Sequence, residues 1–141
     1  MITKVAIQGI KGSFHDQVTR EFYRNSPKLI ECLTFDHLVD SIVKGNADQA
    51  VMAIENSIAG SIIPNYALID KNNLVIVGEH YLSIQHNLMA LEGQSINDIQ
   101  EVYSHPMALL QCKNFFHKYS HIKLVETNDT ADEVKKISEN K

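Results

Sequence analysis

The sequence predicts an α/β protein with a largely parallel sheet. Strand and helix patterns alternate along the chain, as expected of βαβ units. Polar residues follow three of the predicted strands, at residues 9–13, 55–57 and 104–106. Because the carboxyl ends of parallel strands meet at one edge of a sheet, these junctions are expected to lie close together. The 141 residues, 44% of them hydrophobic, suffice for one ordinary domain or two small lobes.

The first half of the chain begins with two strand-helix pairs. KVAIQ, residues 4–8, predicts a strand, and residues 14–25 predict a helix with Phe14, Val18 and Phe22 on one face. Residues 28–33 predict the second strand. Thr34 is the expected N-cap of the second helix and Gly45 its end. The residues of that helix expected to face inward are Phe35, Leu38, Val39 and Ile42.

The stretch VMAIENSIAGSI, residues 51–62, ends a third strand predicted over residues 49–54 and is interpreted as leading into a helix. Asn56 and Ser57 would then lie beside unpaired N–H groups that favour an anion. In the alternative, which this stretch alone favours, Ser57 caps the helix, Glu55 complements the helix dipole and Asn56 forms a turn. Pro64 is expected to begin or interrupt the following helical or irregular segment.

The second half continues the alternation. Residues 74–77 predict a buried strand, and the alternating residues 80–91 predict a long, half-exposed strand. A short helical turn near residue 96 and a strand at 101–103 follow, and Pro106 is expected to begin a helix running to about residue 119. The last predicted elements are a strand at residues 122–126 and a helix that a capping box at residues 130–133 begins.

Composition excludes several classes of function. The net charge of −4, without a block of like charges, argues against a nucleic-acid partner. Cys32 and Cys112 are far apart and the seven histidines have no metal-ligand spacing, so we expect reduced thiols, no metal and no cofactor. No apolar run approaches the roughly 20 residues that cross a bilayer. We therefore expect a cytoplasmic protein that binds a small carboxylate or phosphate at its helix N-termini.

Several motifs carry a resemblance to a known family. KVAIQGIKGSFH (residues 4–15), IENSIAGS (54–61) and VYSHPMALLQC (102–112) resemble the prephenate dehydratase family in order and spacing. GEHYLSIQHNLMAL, residues 78–91, and the threonine-rich TNDTADEV are also similar to the family pattern. The match covers essentially the whole chain.

The resemblance implies a two-lobed fold like the type II periplasmic binding proteins, with mainly parallel sheets, flanking helices and the substrate in the cleft. It places the first lobe at residues 1–79, and the crossing strand with an incomplete second lobe at 80–141. It further implies decarboxylative dehydration of prephenate to phenylpyruvate in phenylalanine synthesis, and we expect a homo-oligomer in the full-length protein. By similarity, the catalytic residues are Glu55, Asn56, Ser104 and Gln111.

Further substrate contacts are expected at these junctions and at a possible fourth one, residues 127–130. Gly12 should let the backbone approach a carboxylate. The other residues expected to contact substrate are Ser13, Phe14, Ser57 and Thr130.

The chain also departs from the family pattern. Ile10, Ser13 and His15 stand where the family usually has Pro, Thr and Ser, and Met107 replaces a common Gln. The family's Thr-Arg motif, whose threonine is taken to protonate the leaving hydroxyl, and the phenylalanine-binding ACT domain are not found in these residues. We therefore interpret the chain as an N-terminal portion of the enzyme. The alternative is a small-carboxylate binding module without turnover.

Several candidate residues have structural alternatives. Ser104 can cap a helix as well as bind a ligand, and if the helix starts near it, Gln111 lies two turns along the same face. His105 is expected to be structural, and Cys112 to be a small buried residue. Glu55 beside a dianion is unfavourable, so it either holds Asn56 in place or has a raised pKa.

Overall fold

The computed structural model describes residues 3–58 and 60–127. The chain divides into two compact units, Met1–Ser83 and Ile84–Lys141. The assignment of residues 1–79 and 80–141 to two lobes of an enzyme stays a prediction. Within the described residues, no helix combines the length and the apolar character that crossing a membrane requires.

The first unit is built on a three-stranded parallel sheet in the order β2-β1-β3. Its strands are β1 (Lys4–Gln8), β2 (Lys28–Cys32) and β3 (Gln49–Val51). The three interior residues of the central strand are fully buried. The predicted parallel α/β architecture is therefore confirmed for this unit, although β3 ends three residues before its predicted end at residue 54.

The helix α2 (Phe35–Val43) covers this sheet as its sequence predicts. Thr34 is its N-cap, with the side chain accepting a hydrogen bond from the backbone N–H of His37. Gly45, with φ of +70°, follows its end. The expected inward face is confirmed, because Leu38 and Val39 are buried and the other two predicted residues pack against them.

The helix α1 (Phe14–Phe22) is shorter than predicted and buries a different face. Phe14 and Phe22 are 39% and 43% exposed, whereas Asp16 and Thr19 are buried. Both polar side chains have local partners, since Asp16 accepts from Gly12 N–H and the Thr19 hydroxyl donates to the His15 carbonyl. Polar groups whose hydrogen bonds are satisfied can be buried without a large penalty. The spacing of the apolar residues therefore predicts the helical period of α1 correctly but not the face that is buried.

The predicted passage from a strand directly into a helix at Ser57 is wrong. The short strands β4 (Glu55–Asn56) and β5 (Gly60–Ser61) pair antiparallel with each other. The next helix, α3 (Ile63–Lys71), begins later and has a proline in its first turn, as expected of Pro64. The reason is local, because the Asn56 side chain accepts from the backbone N–H of Ile58 and so supports a turn.

The predicted strands at residues 74–77 and 80–91 are wrong. In the described structure these segments are neither helix nor strand. Val75 and Val77 are 81% and 76% exposed, so the first segment is not buried. A strand forms only where a neighbour supplies its backbone partners, and none of the described strands pairs with either segment. The alternation of apolar and polar residues carries no information about whether a pairing strand is present.

The second unit is built on two parallel strands, β6 (Glu101–Ser104) and β7 (Lys123–Glu126). Between them lie α4 (Pro106–Gln111) and α5 (Lys113–Phe116) where one longer helix was predicted. The 3-10 turn near residue 96 and the start of α4 at a proline are as predicted. The final helix predicted from Thr130 lies outside the described residues.

Candidate functional site

The glycine-containing loop after β1 binds carboxylates through its backbone. Lys11 N–H donates to Glu31 Oε1 at 2.7 Å, and Gly12 N–H donates to Asp16 Oδ2 at 2.7 Å. Gly12 has φ of +94°, which favours glycine. The two successive N–H groups bind two different carboxylates. The loop thus has the anion preference that the sequence predicts, and the chain's own carboxylates satisfy it in this structure.

The two residues after Gly12 begin α1. Ser13 is the N-cap, and its hydroxyl accepts from Asp16 N–H at 3.3 Å. Asp16 also forms an ion pair of 3.1 Å with Arg20, whose side chain is exposed. Phe14 is 39% exposed, so part of its ring faces solvent in this unit. Ser13 therefore has a capping role whether or not it contacts a ligand.

Glu55 and Asn56 lie in the short strand β4. Glu55 Oε1 accepts from the Tyr66 hydroxyl at 3.1 Å and from the Ser61 hydroxyl at 3.5 Å. Partial burial, together with the bond to Glu55, raises the pKa of Tyr66. Ser57 is exposed and caps no helix, contrary to the prediction. The carboxylate thus holds two neighbouring hydroxyl groups.

Sequence reasoning missed two side chains that hold the backbone before β4. His15 Nε2 accepts from Ala53 N–H at 3.3 Å, and Asn65 Nδ2 donates to the Ala53 carbonyl at 2.7 Å. His15 was noted only as a departure from the family pattern, and Asn65 gave no signal of its own. Burial lowers the pKa of His15, and a hydrogen bond to the Gln8 backbone partly opposes that shift.

The cap of α4 is His105, which confirms its expected structural role and excludes the capping alternative for Ser104. His105 Nδ1 accepts from Met107 N–H at 3.2 Å. Pro106 explains the difference, because the residue before a proline is held extended and so takes the N-cap position. Ser104 is the buried last residue of β6 and is not in the helix, so its spacing from Gln111 does not place them on one helix face.

Gln111, the last residue of α4, has a defined partner in its own unit. Its Oε1 accepts from His86 Nε2 at 2.7 Å. Cys112 is half-buried and not fully buried as expected, and burial raises the pKa of its thiol, which disfavours the reactive thiolate. The amide of Gln111 is therefore oriented by a histidine that sequence reasoning did not single out.

An open depression lies where β6 and β7 end. It is lined by His105, Pro106, Glu126 and Thr127. Thr127 N–H donates to the Ser104 carbonyl at 2.8 Å, and its buried hydroxyl oxygen has no hydrogen-bond partner among the described residues. Thr130 lies outside those residues. Residues 3–58 and 60–127 contain no group of His, Cys, Asp and Glu that could hold a metal ion.

Parallel strands with helices between them, and a loop after β1 whose backbone N–H groups bind carboxylates, define an α/β protein. The chain belongs to the prephenate dehydratase family, because the family model described as "Prephenate dehydratase" matches residues 5–141. The resemblance noted in the sequence is thereby confirmed.

Relatives with curated names agree with this assignment. The chain is 38% identical over 135 residues to arogenate dehydratase/prephenate dehydratase 2 of Arabidopsis thaliana, covering 96% of this chain and 35% of the relative. It is 39% identical over 132 residues to the bifunctional chorismate mutase/prephenate dehydratase of Buchnera aphidicola (Schizaphis graminum), covering 92% and 34%. The chain is 34% identical over 141 residues to the Escherichia coli K12 enzyme of the same name, and the match covers 98% of this chain and 36% of the relative. The chain thus spans about a third of the length of these relatives.

Solved structures with the same fold include two relevant proteins. One is described as GqqA, a novel type of quorum quenching acylase, with a TM-score of 0.77, 29% identity and coverage of 96% of this chain and 49% of that chain. The other is prephenate dehydratase from Arthrobacter aurescens in complex with L-Phe, with a TM-score of 0.71, 20% identity and coverage of 98% and 46%. The expected α/β fold of the type II periplasmic-binding-protein kind is confirmed.

Proposed function

We propose that the chain is part of an enzyme that converts prephenate to phenylpyruvate with loss of carbon dioxide and water, in phenylalanine biosynthesis. The family match over residues 5–141 is the observation that carries this proposal. Prephenate has two carboxylates, which suits a chain whose first loop binds carboxylates through backbone N–H groups. The expected homo-oligomeric state and cytoplasmic location stay predictions.

The proposed binding groups are side chains that can donate to carboxylates. They are the amides of Asn56 and Gln111 and the hydroxyl of Ser104. The Gln111 oxygen is held by His86 at 2.7 Å, which directs its NH2 group as the donor. Hydrogen bonds to charged groups are the stronger ones, so a few such donors can orient a dianion.

The loop amide of Gly12 is a further proposed contact, with Ser13, Phe14, Ser57 and Thr130 around the substrate. Gly12 N–H is bonded to Asp16 in this structure, so a substrate carboxylate would take the place of Asp16 there. The displaced Asp16 keeps Arg20 as a partner on the next turn of α1. That pairing limits the cost of the exchange.

Chemistry at the proposed site is positional and electrostatic. Aromatisation of the ring drives the reaction, so the protein must orient both carboxylates, desolvate the one that leaves as carbon dioxide and assist departure of the hydroxyl. Glu55 is the proposed acidic participant. The alternatives are a direct part in the proton transfer and, as the bonds from Tyr66 and Ser61 indicate, an anchor for the β4–β5 pair. Glu55→Gln distinguishes them, since an anchor tolerates the amide and a proton donor does not.

The first test measures prephenate binding by calorimetry, with phenylacetate as a matched ligand that has one carboxylate. We expect prephenate to bind and phenylacetate to bind more weakly, because only prephenate can use two groups of donors. Arogenate has an amino group where prephenate has a keto group. Its affinity, compared with that of prephenate, shows which of the two substrates named for the relatives is preferred. A folded chain that binds neither would contradict the proposal.

The second test measures turnover as the absorbance of phenylpyruvate. The assay is run at neutral pH, because acid breaks prephenate down without an enzyme. The 141 residues contain no Thr-Arg-Phe or Thr-Arg-Asp sequence, so we expect this chain alone to stay at the spontaneous rate. Turnover by the chain would assign the proton donor to a residue present here, such as His105 or Glu55.

A binding module without turnover is the second candidate function. The donors proposed above can hold a carboxylate without an acid to complete the reaction, so the same side chains suit a binding module as well as an enzyme. Prephenate binding combined with no turnover by the uninterrupted gene product would support the module over the enzyme.

A further inference from the structure

We propose that His15 and Asn65 are positioning residues that together hold the peptide group of Ala53 and thereby fix the backbone leading into Glu55 and Asn56. The inference rests on the proposed function for its effect on ligand binding, whereas its effect on the backbone is independent of that function. Neither residue is among those that the family resemblance marks as part of the site.

The geometry places a side chain on each polar atom of one peptide residue. Ala53 N–H donates to His15 Nε2 at 3.3 Å, and the Ala53 carbonyl accepts from Asn65 Nδ2 at 2.7 Å. The two side chains come from different helices, α1 and α3. Asn65 is only 2% exposed, so its amide has been withdrawn from water to make this bond. A buried amide is retained where its hydrogen bonds are satisfied, which indicates a specific task.

The location explains why side chains are needed there. β3 ends at Val51, so Ala53 lies beyond the strand partners of the sheet. A backbone amide and carbonyl in such a place must find other partners. His15 and Asn65 supply them, and the chain then leaves the sheet in a defined direction.

The hold on Ala53 continues along the chain through backbone bonds. The next residue, Ile54, accepts from Ile62 N–H at 2.8 Å, which closes the β4–β5 pair next to α3. Asn56 Oδ1 then accepts from Ile58 N–H at 2.8 Å. A shift of the Ala53 peptide would therefore move Glu55 and Asn56, which the proposed function places against the substrate.

The role of His15 requires one tautomer. To accept from Ala53, Nε2 must keep its lone pair, so the proton of the neutral ring lies on Nδ1. The Gln8 backbone, to which His15 is hydrogen-bonded, offers the carbonyl that such a proton needs. Phe35 contacts the ring edge-on, with 5.7 Å between centroids, and restricts its rotation.

The experiment compares amide hydrogen exchange of Ile58 and Ile62 in four variants. His15→Leu and Asn65→Leu remove the two bonds, and His15→Gln keeps an acceptor near the Nε2 position. Thr19→Val is the matched control on α1, because its buried hydroxyl donates to the His15 carbonyl and not to Ala53. We expect exchange at Ile58 and Ile62 to accelerate about tenfold or more in both Leu variants relative to Thr19→Val, with partial rescue by Gln.

Equal exchange at Ile58 and Ile62 in the Leu variants and the control would overturn the proposal. If the variants do not fold, the unmodified protein still tests the proposal, because the nitrogen chemical shifts of His15 report its tautomer. An Nδ1–H ring supports the proposal, and an Nε2–H ring overturns it.

Prephenate affinity of the same variants separates this inference from the proposed function. If the unmodified protein binds prephenate, His15→Leu and Asn65→Leu should weaken binding about tenfold or more, and unchanged affinity would overturn the positioning role. If the unmodified folded protein does not bind prephenate, the proposed function fails. The exchange rates then decide the backbone role alone.

Discussion

His86 Nε2 lies 2.7 Å from Gln111 Oε1. An amide oxygen can only accept, so the ring nitrogen is the donor and the Gln111 NH2 group is directed away from the ring. The histidine comes from a segment without helix or strand, and the glutamine from the end of α4. A residue that the family resemblance assigns to the site is thus oriented by a histidine from a different motif, residues 78–91.

The first prediction concerns this pair. Gln111→Ala should weaken prephenate binding by about 1.5 to 3 kcal/mol, or roughly ten- to a hundredfold, because it removes a hydrogen bond to a charged group. His86→Phe keeps the ring and loses the donor, so we expect a smaller loss in the same direction. Calorimetry on both variants measures the effect. Normal affinity in Gln111→Ala, with the fold intact, would remove Gln111 from the site.

The second prediction separates binding from capping at the end of β6. His105→Ala should lose on the order of 1 kcal/mol of unfolding free energy, because His105 caps α4. Ser104→Ala should instead weaken prephenate binding and leave the cap intact. Urea unfolding and calorimetry on the two neighbouring variants give the comparison. The reverse pattern, with affinity lost only in His105→Ala, would assign the binding role to the histidine.

The third prediction concerns Gly12. Its φ of +94° makes any side chain costly, so Gly12→Ala should lower stability by about 1 to 3 kcal/mol although no atom lies within 4 Å of the new Cβ. Gly45, with φ of +70° and equally open surroundings, is the matched control. Both alanine variants should lose similar stability in urea unfolding. Only Gly12→Ala should also weaken prephenate binding; equal affinities would assign Gly12 to the fold alone.

The fourth prediction is a pH dependence from His15. Burial lowers its pKa in the folded state below the ordinary 6.5, so the unfolded chain takes up the proton first as pH falls. The contribution of neutral His15 to stability is therefore complete above pH 6.5 and is lost as pH falls from 6.5 toward the folded-state pKa. Urea midpoints between pH 7.5 and about 5 measure this loss, above the range where carboxylates titrate.

His15→Gln is the control for the pH series. Glutamine does not titrate, so the fall in stability below pH 6.5 should become shallower in this variant. An unchanged slope would mean that other groups account for the pH dependence and that the neutral state of His15 does not contribute to stability.

Features set by nearby residues were predictable from the sequence. Thr34 capped α2 as expected, because its hydroxyl reaches an N–H three residues away. The same reasoning failed at Ser57, where the Asn56 side chain supports a turn before any helix starts. At residue 104 it left capping and ligand binding open, and Pro106 decides the cap, because the residue before a proline is held extended and His105 therefore takes the N-cap position.

Features set by distant residues were not predictable in this way. Val75 lies in a segment with strong strand propensity, but propensity does not provide a pairing partner. The bonds of His15 and Asn65 to Ala53 span 38 and 12 residues of sequence. No local pattern contains such pairs, so a polar residue on a helix can be recognised as a backbone partner only once the fold is known.

The bond between Gly12 N–H and Asp16 gives the loop a built-in competitor. At the proposed site, a ligand carboxylate that binds Gly12 would exchange one carboxylate for another, which offsets part of the free energy of this contact. Acetate or any simple monoanion would therefore gain less at this loop than a hydrogen bond to a free N–H group would give it. A ligand that binds there needs a second group that contacts another part of the protein. Competition with Asp16 would therefore make the loop selective for ligands with two or more such groups.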